Sequence, residues 1–255
     1  MGKTAAGLAL ALCSAVSLSC RPPAPALPTP GDVLFRAPSL TAILKFPEHY
    51  DSAKTYPLLV ALHGLGGIAA ELDSALRPLE RSAHLVVVPE AEYPRRTGGG
   101  FSWFLETSDR SRWEANDTRA VDHLVELIGA IGSRYRVGKV FVFGFSQGAT
   151  MAYLAALRNP ALVTGVLAVG GGLPEIDREG SLVHAADVER ARAVRVFTAR
   201  GRDDPYLTPQ VFTDQRDFLV AHGYGVTTFD YAGARYLTGE LLARMGRWIR
   251  RYGGN

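Results

Sequence analysis

Cysteine is nearly absent from this 255-residue chain: only Cys13 and Cys20 occur, both within the first twenty residues. Everything beyond them lacks a thiol, so no disulfide staples the fold and its stability has to come from a core. An excess of one charge is missing too. Lys and Arg number 28 against 25 Asp and Glu, and the arginines are scattered rather than striped, which excludes a nucleic-acid footprint. His and Cys show no ligand spacing, so no metal is implied, and no cofactor motif is present. Beyond residue 20 no apolar run is long enough to span a bilayer, and no internal repeat is visible. What remains is 47% hydrophobic and 21% charged, ordinary for one sizeable α/β domain.

The first residues are of another kind. Lys3 precedes "AAGLALALCSAVSLSC", an apolar stretch ending in small residues, the layout of a signal peptide over residues 1–20. "SLSC" resembles a bacterial lipobox, with Ser17 where Leu or Val is preferred. "SLS" also suits ordinary signal peptidase. The expectation is an exported protein, either attached to the membrane through a lipid on Cys20 or released. Residues 21–32, beginning "RPPAPALPTPG", read as a stiff proline-rich linker, and 33–255 as the domain.

Within the domain, strand-like and helix-like segments alternate. "LTAILKFP", "YPLLVALHG", "HLVVVPEA", "KVFVFGF", "TGVLAVGGG", "RVFTARG" and "VTTFDYAG" are short apolar runs closed by turn residues. Helical spacing occupies 68–83, 117–134 (with Asn116 as a cap), 149–160, about 209–222 and about 239–251. Residues 92–112 and 171–190 read as loops. Alternation of this kind predicts a mostly parallel central sheet with helices on both faces, its chemistry at the carboxyl ends of the strands.

Two motifs carry chemistry. Gly144-Phe145-Ser146-Gln147-Gly148 has the Gly-x-Ser-x-Gly form between a strand and a helix, a turn sharp enough to need small residues two before and two after the serine. It would hold Ser146 above the sheet as a nucleophile, at a helix amino end. "LLVALHGLGG" supplies a flexible backbone whose Leu65 amide, with that of Gln147, would form an oxyanion hole. His63, at the end of that strand, reads as structural.

Together with "ARGRDDPYLTP", these motifs resemble the carboxylesterase and acyl-protein thioesterase branch of the α/β-hydrolases. "FPEHYDSAKTYPLLVALHG" is also similar to secreted polyhydroxybutyrate-depolymerase and feruloyl-esterase-like proteins. The resemblance spans about 40–250. It implies the α/β-hydrolase fold, a small-molecule ester or acyl substrate, no cofactor, and the chain order Ser, acid, His. Asp204 matches the acid, with Asp203 as the adjacent alternative.

The expected histidine position, after the final strand in "FDYAGARYLTG", holds Arg235. Arginine stays protonated and has no acceptor lone pair, so it cannot take the serine proton. His49, His84, His123 and His222 fall where they should not reach the site. His184, in the 171–190 loop, is the one whose segment could reach it. Two functions follow: a serine ester or thioester hydrolase with weak or lost activity, or a pseudo-hydrolase kept for binding, with Arg235 paired to Asp204 or holding a carboxylate or phosphate beside Ser146. Trp103 and Phe104, in the 92–112 loop, are candidate substrate contacts. Oligomeric state is left open.

Overall fold

The computed structural model describes residues 33–79, 83–109 and 112–254; the leader, the linker and Cys20 lie outside the described residues. One sheet contains β1 (Val33–Arg36), β2 (Thr41–Lys45), β3 (Tyr56–Leu62), β4 (Leu85–Pro89), β7 (Val137–Phe145), β8 (Val163–Val169), β9 (Arg195–Gly201) and β10 (Val226–Tyr231). Their spatial order is β1-β2-β4-β3-β7-β8-β9-β10. β1 and β2 pair antiparallel, as do β2 and β4, and every pairing from β4 to β10 is parallel.

The continuous apolar runs are strands buried on both faces. In β3, Leu58, Val60 and Leu62 join one core with Val140 and Val142 of β7. Leu59 and Ala61 join the other with Phe141 and Phe143. That period of two is what a pleated strand between two helical layers requires. The first core is closed by α2 (Trp113–Arg134), α3 (Gln147–Arg158), α4 (Ala185–Arg190) and, through Leu219, α5 (Pro209–Ala221). The second is closed by α1 (Ala69–Leu76) and α6 (Gly239–Gly253), whose Leu241, Leu242, Met245, Trp248 and Ile249 all face inward. The chain thus has the α/β-hydrolase architecture, a mostly parallel sheet covered on both sides.

Several local expectations change. The helix expected over 68–83 stops at Leu76 and tightens to a 3₁₀ turn over Arg77–Leu79, because Pro78 has no N–H to continue an α-helix. The helix expected from 117 starts at Trp113, so Asn116 is not a cap; its amide donates to the Arg112 carbonyl from inside the first turns. Residues 92–112 include a small hairpin of β5 (Tyr93–Pro94) and β6 (Phe101–Ser102), and α4 ends the other expected loop.

Because β3 has β4 on one side and β7 on the other, the connections change direction there. That leaves a crevice outside the carboxyl ends of these two strands, where open α/β sheets bind ligands. The loops after β3 and β7 are the two that carry the motifs.

Candidate active site

Ser146 sits between β7 and α3 with φ 55° and ψ −117°, one of three non-glycine residues described with positive φ. Such a conformation persists only when its surroundings enforce it. The Ser146 N–H is pinned to the Val169 carbonyl at 2.8 Å. The flanking glycines are required by close approach. A Cβ at 144 would lie 2.0 Å from the Gly148 carbonyl oxygen, and one at 148 only 2.4 Å from that of Leu62. Gln147 opens α3, so its N–H has no carbonyl one helical turn behind it and adds to the positive end of the helix dipole.

The loop after β3 is fastened from outside. Gly66 N–H donates to the Phe101 carbonyl at 2.8 Å and Phe101 N–H to Gly67 at 3.1 Å, so the β5–β6 hairpin holds the backbone around Leu65. A contact not anticipated from the sequence then ties that hairpin to the elbow. The Gln147 side chain accepts from Trp103 N–H at 3.0 Å and donates to Ser102 Oγ at 3.0 Å. Trp103 itself is no substrate contact: it is 1% exposed, and its indole N–H donates to the His63 carbonyl at 2.8 Å. Phe104 faces a different cleft, with Asp117, Thr150 and Leu154. His63 is buried, its Nδ1 bonded to the Gly64 carbonyl at 2.8 Å and its Nε2 accepting from Ala91 N–H at 3.2 Å.

Asp204 lies in the turn after β9, and Arg235 in the loop between β10 and α6. The two loops pack tightly because Gly201 lacks a side chain: a Cβ there would lie 2.2 Å from the Ala234 carbonyl oxygen. The Asp203 N–H donates across to Gly233 at 3.0 Å, and the Asp203 side chain stays at the surface. The Asp204 side chain is wholly out of solvent. Its Oδ1 accepts from the N–H groups of Tyr206 (2.9 Å) and Leu207 (3.1 Å), and from Arg235 Nη2 (3.0 Å). Its Oδ2 accepts from Arg235 Nε at 3.0 Å. Burial alone would raise the Asp204 carboxyl pKa. The guanidinium and the two backbone donors more than offset that and hold it below the ordinary carboxylate value.

The same guanidinium reaches the serine: Arg235 Nη1 donates to Ser146 Oγ at 2.6 Å. The fork therefore bridges Asp204 and Ser146, the two groups a triad histidine would join. Room for it comes from Gly170, just past β8, where a Cβ would fall 2.6 Å from Arg235 Cγ. Tyr206 also packs against it, its ring centre 4.5 Å from the guanidinium carbon. The glycine run after β8 is the sequence feature that could have pointed to a close approach there; nothing in the sequence singled out Tyr206.

Among the described residues no histidine is hydrogen-bonded to Ser146 or Asp204. His184 is exposed and its Nδ1 is 3.1 Å from Asp177 Oδ1. His123 Nδ1 meets Glu92 at 3.0 Å, and His222 bonds the Phe218 carbonyl at 2.8 Å. His84 is buried beside Pro57 and Arg250, its pKa pushed down to about 4 by burial and by Arg250. His49 lines a surface cleft with Pro47 and Lys54. Among the described residues no group of His, Cys, Asp or Glu side chains is arranged to hold a metal. Beside Arg235 a cleft of about 460 Å³ opens between the loop after β3, α1 and the loop before α6, lined largely by Leu65, Ile68, Leu72, Phe145 and Leu237.

Residues 50–236 match the family described as Phospholipase/Carboxylesterase. The chain is 27% identical over 194 residues to acyl-protein thioesterase 1 of Mycosarcoma maydis, covering 68% of this chain and 74% of that protein. It is 28% identical over 137 residues to probable feruloyl esterase C of Aspergillus terreus, 51% of this chain and 46% of the other. Among solved structures, a carboxylesterase from Mesorhizobium loti superposes with a TM-score of 0.67 at 17% identity, covering 86% of this chain and 98% of that one.

Proposed function

Because the chain belongs to the phospholipase/carboxylesterase family, we propose that it presents an esterase site which binds acyl compounds without turning esters over efficiently. One observation carries this reading: the Arg235 fork joins Ser146 Oγ and Asp204 in the place of a base. Ester hydrolysis by a serine needs a group that takes the Oγ proton during attack and returns it to the leaving alcohol. A guanidinium at physiological pH has donors only. Arg235 donates into the oxygen that would attack, and accepts nothing from it.

In this reading Ser146 keeps the nucleophile's position and Asp204 the acid's. The Leu65 and Gln147 amides keep the oxyanion site, and the cleft takes the acyl part. The oxyanion site and binding alone sustain roughly 10³-fold acceleration over water once a triad member is lost, so a slow residual rate is compatible with it. The leader exports the protein, which works at the cell envelope on a lipid attached to Cys20 or free after release.

Hydrolysis of p-nitrophenyl butyrate by wild type, Ser146→Ala and Arg235→His tests the proposal. Wild type and Ser146→Ala are expected to match. Arg235→His, which restores an acceptor nitrogen, is expected to gain Ser146-dependent turnover of about 10²-fold, the usual scale of general acid–base catalysis. Wild-type turnover at or above the Arg235→His rate that disappears in Ser146→Ala would overturn it.

A further inference from the structure

We propose that this site recognises a monocarboxylate with an apolar tail, the carboxylate held at Arg235 and the tail lying in the adjoining cleft. The inference rests on the reading of a site that binds without turnover, and gives it a ligand class. A guanidinium has five N–H donors. Asp204 takes two and Ser146 one, leaving two on a side chain that forms part of the cleft wall.

Charge favours an anion there. Asp204 is already satisfied by four hydrogen bonds, two of them from backbone. The Arg235–Asp204 pair is therefore a fixed dipole whose carboxylate end is buried and whose cationic end meets the cleft. The amino end of α3, which begins beside Ser146, adds partial positive charge. A carboxylate has two oxygens to divide between the free guanidinium N–H groups and the amides of Leu65 and Gln147, whereas an ester carbonyl has one. Tyr206, which stacks on the guanidinium with its ring centre 4.5 Å from Arg235 Cζ, is not among the residues lining the cleft.

The tail follows from the walls. Beyond Arg235 the cleft is lined by Leu65, Ile68, Leu72, Ala75, Phe145 and Leu237, and its rim carries unusually exposed apolar surface: Leu65 at 49% and Tyr236 at 50%. Large apolar side chains left in solvent around a cleft mark a surface that a ligand covers. Neither a phosphate nor a hydrophilic acid uses that surface.

Calorimetric titration with octanoate, octanol and acetate tests this on the full-length wild-type protein without any mutation. Octanoate should bind at least about 10-fold tighter than octanol, which shares the tail, and than acetate, which shares the head. Arg235→Gln should erase the octanoate advantage over octanol, with circular dichroism confirming the fold. Ala75→Asp, at an exposed position of α1, should weaken octanoate several-fold and leave acetate unchanged. Equal binding of octanoate and octanol, or octanoate binding untouched in folded Arg235→Gln, contradicts the proposal, as does inorganic phosphate displacing octanoate stoichiometrically at equal affinity. A failure of octanoate to bind leaves the absence of turnover standing. Ser146-dependent hydrolysis is read in a separate assay and would instead remove the premise.

Discussion

The two halves of this site are built by different means. Around Ser146 the geometry is a backbone property: a strained φ, two glycines that no other residue can replace, and a strand–turn–helix that aims the first N–H of α3. Around Asp204 it is a side-chain property, in which one guanidinium satisfies a buried carboxylate and a hydroxyl at once. In the first half the two glycines cannot take a Cβ without a backbone clash. The second depends on one side chain, for which Gly170 provides the room. On the proposed reading, the difference explains how such a site keeps its shape without a proton acceptor.

Substitutions in each half should separate them by size of effect. Gly148→Ala places a Cβ against the carbonyl oxygens of Leu62 and His63, backbone atoms that cannot move aside. It should cost about 4 kcal/mol or more, a large share of a typical net stability, and yield little folded protein in urea titration. Arg235→Ala leaves the Asp204 carboxylate out of solvent with only its two backbone donors. Breaking a buried pair costs about 3–5 kcal/mol. Since the arginine keeps 19% exposure, about 2–3 kcal/mol is expected here. The pH dependence has a fixed sign. Asp204 titrates lower in the folded chain than unfolded, so the pair's contribution is full above the unfolded carboxyl value of about 4 and is lost as pH falls through the lower folded value. The stability gap between wild type and Arg235→Ala should therefore be widest above pH ~4 and close below it. Smallest is Gln147→Ala, which removes the clasp on Trp103 and Ser102 while sparing the elbow. It should cost about 1–2 kcal/mol and speed amide exchange at Gly66 and Phe101, whose bonds hold the loop after β3.

The central sheet was legible because strands such as β3 and β4 are buried on both faces and so read as unbroken apolar runs, Leu58–Leu62 and Leu85–Val88. β1 was missed: it has four residues, and one of them, Leu34, is 59% exposed. The β5–β6 hairpin was missed because two-residue strands in a Gly- and Arg-rich stretch leave no period to detect. At the site, motif and chain order drew attention to Ser146, Asp204 and Arg235, which lie together in space. The supports were hidden for a physical reason. Trp103 is buried because its indole finds a carbonyl forty residues earlier, and the Gln147 side chain reaches a hairpin that precedes it by more than forty. Pairings of that range leave no local trace.

The most direct test of the central claim, that Arg235 removes the proton acceptor while the rest of the site persists, is the Ser146-dependent part of ester hydrolysis, measured as wild type minus Ser146→Ala and compared with Arg235→His under the same conditions. A wild-type difference near zero, beside a clear Ser146-dependent rate in Arg235→His, is what the bridging guanidinium predicts. A Ser146-dependent rate in wild type equal to or greater than that of Arg235→His would contradict it.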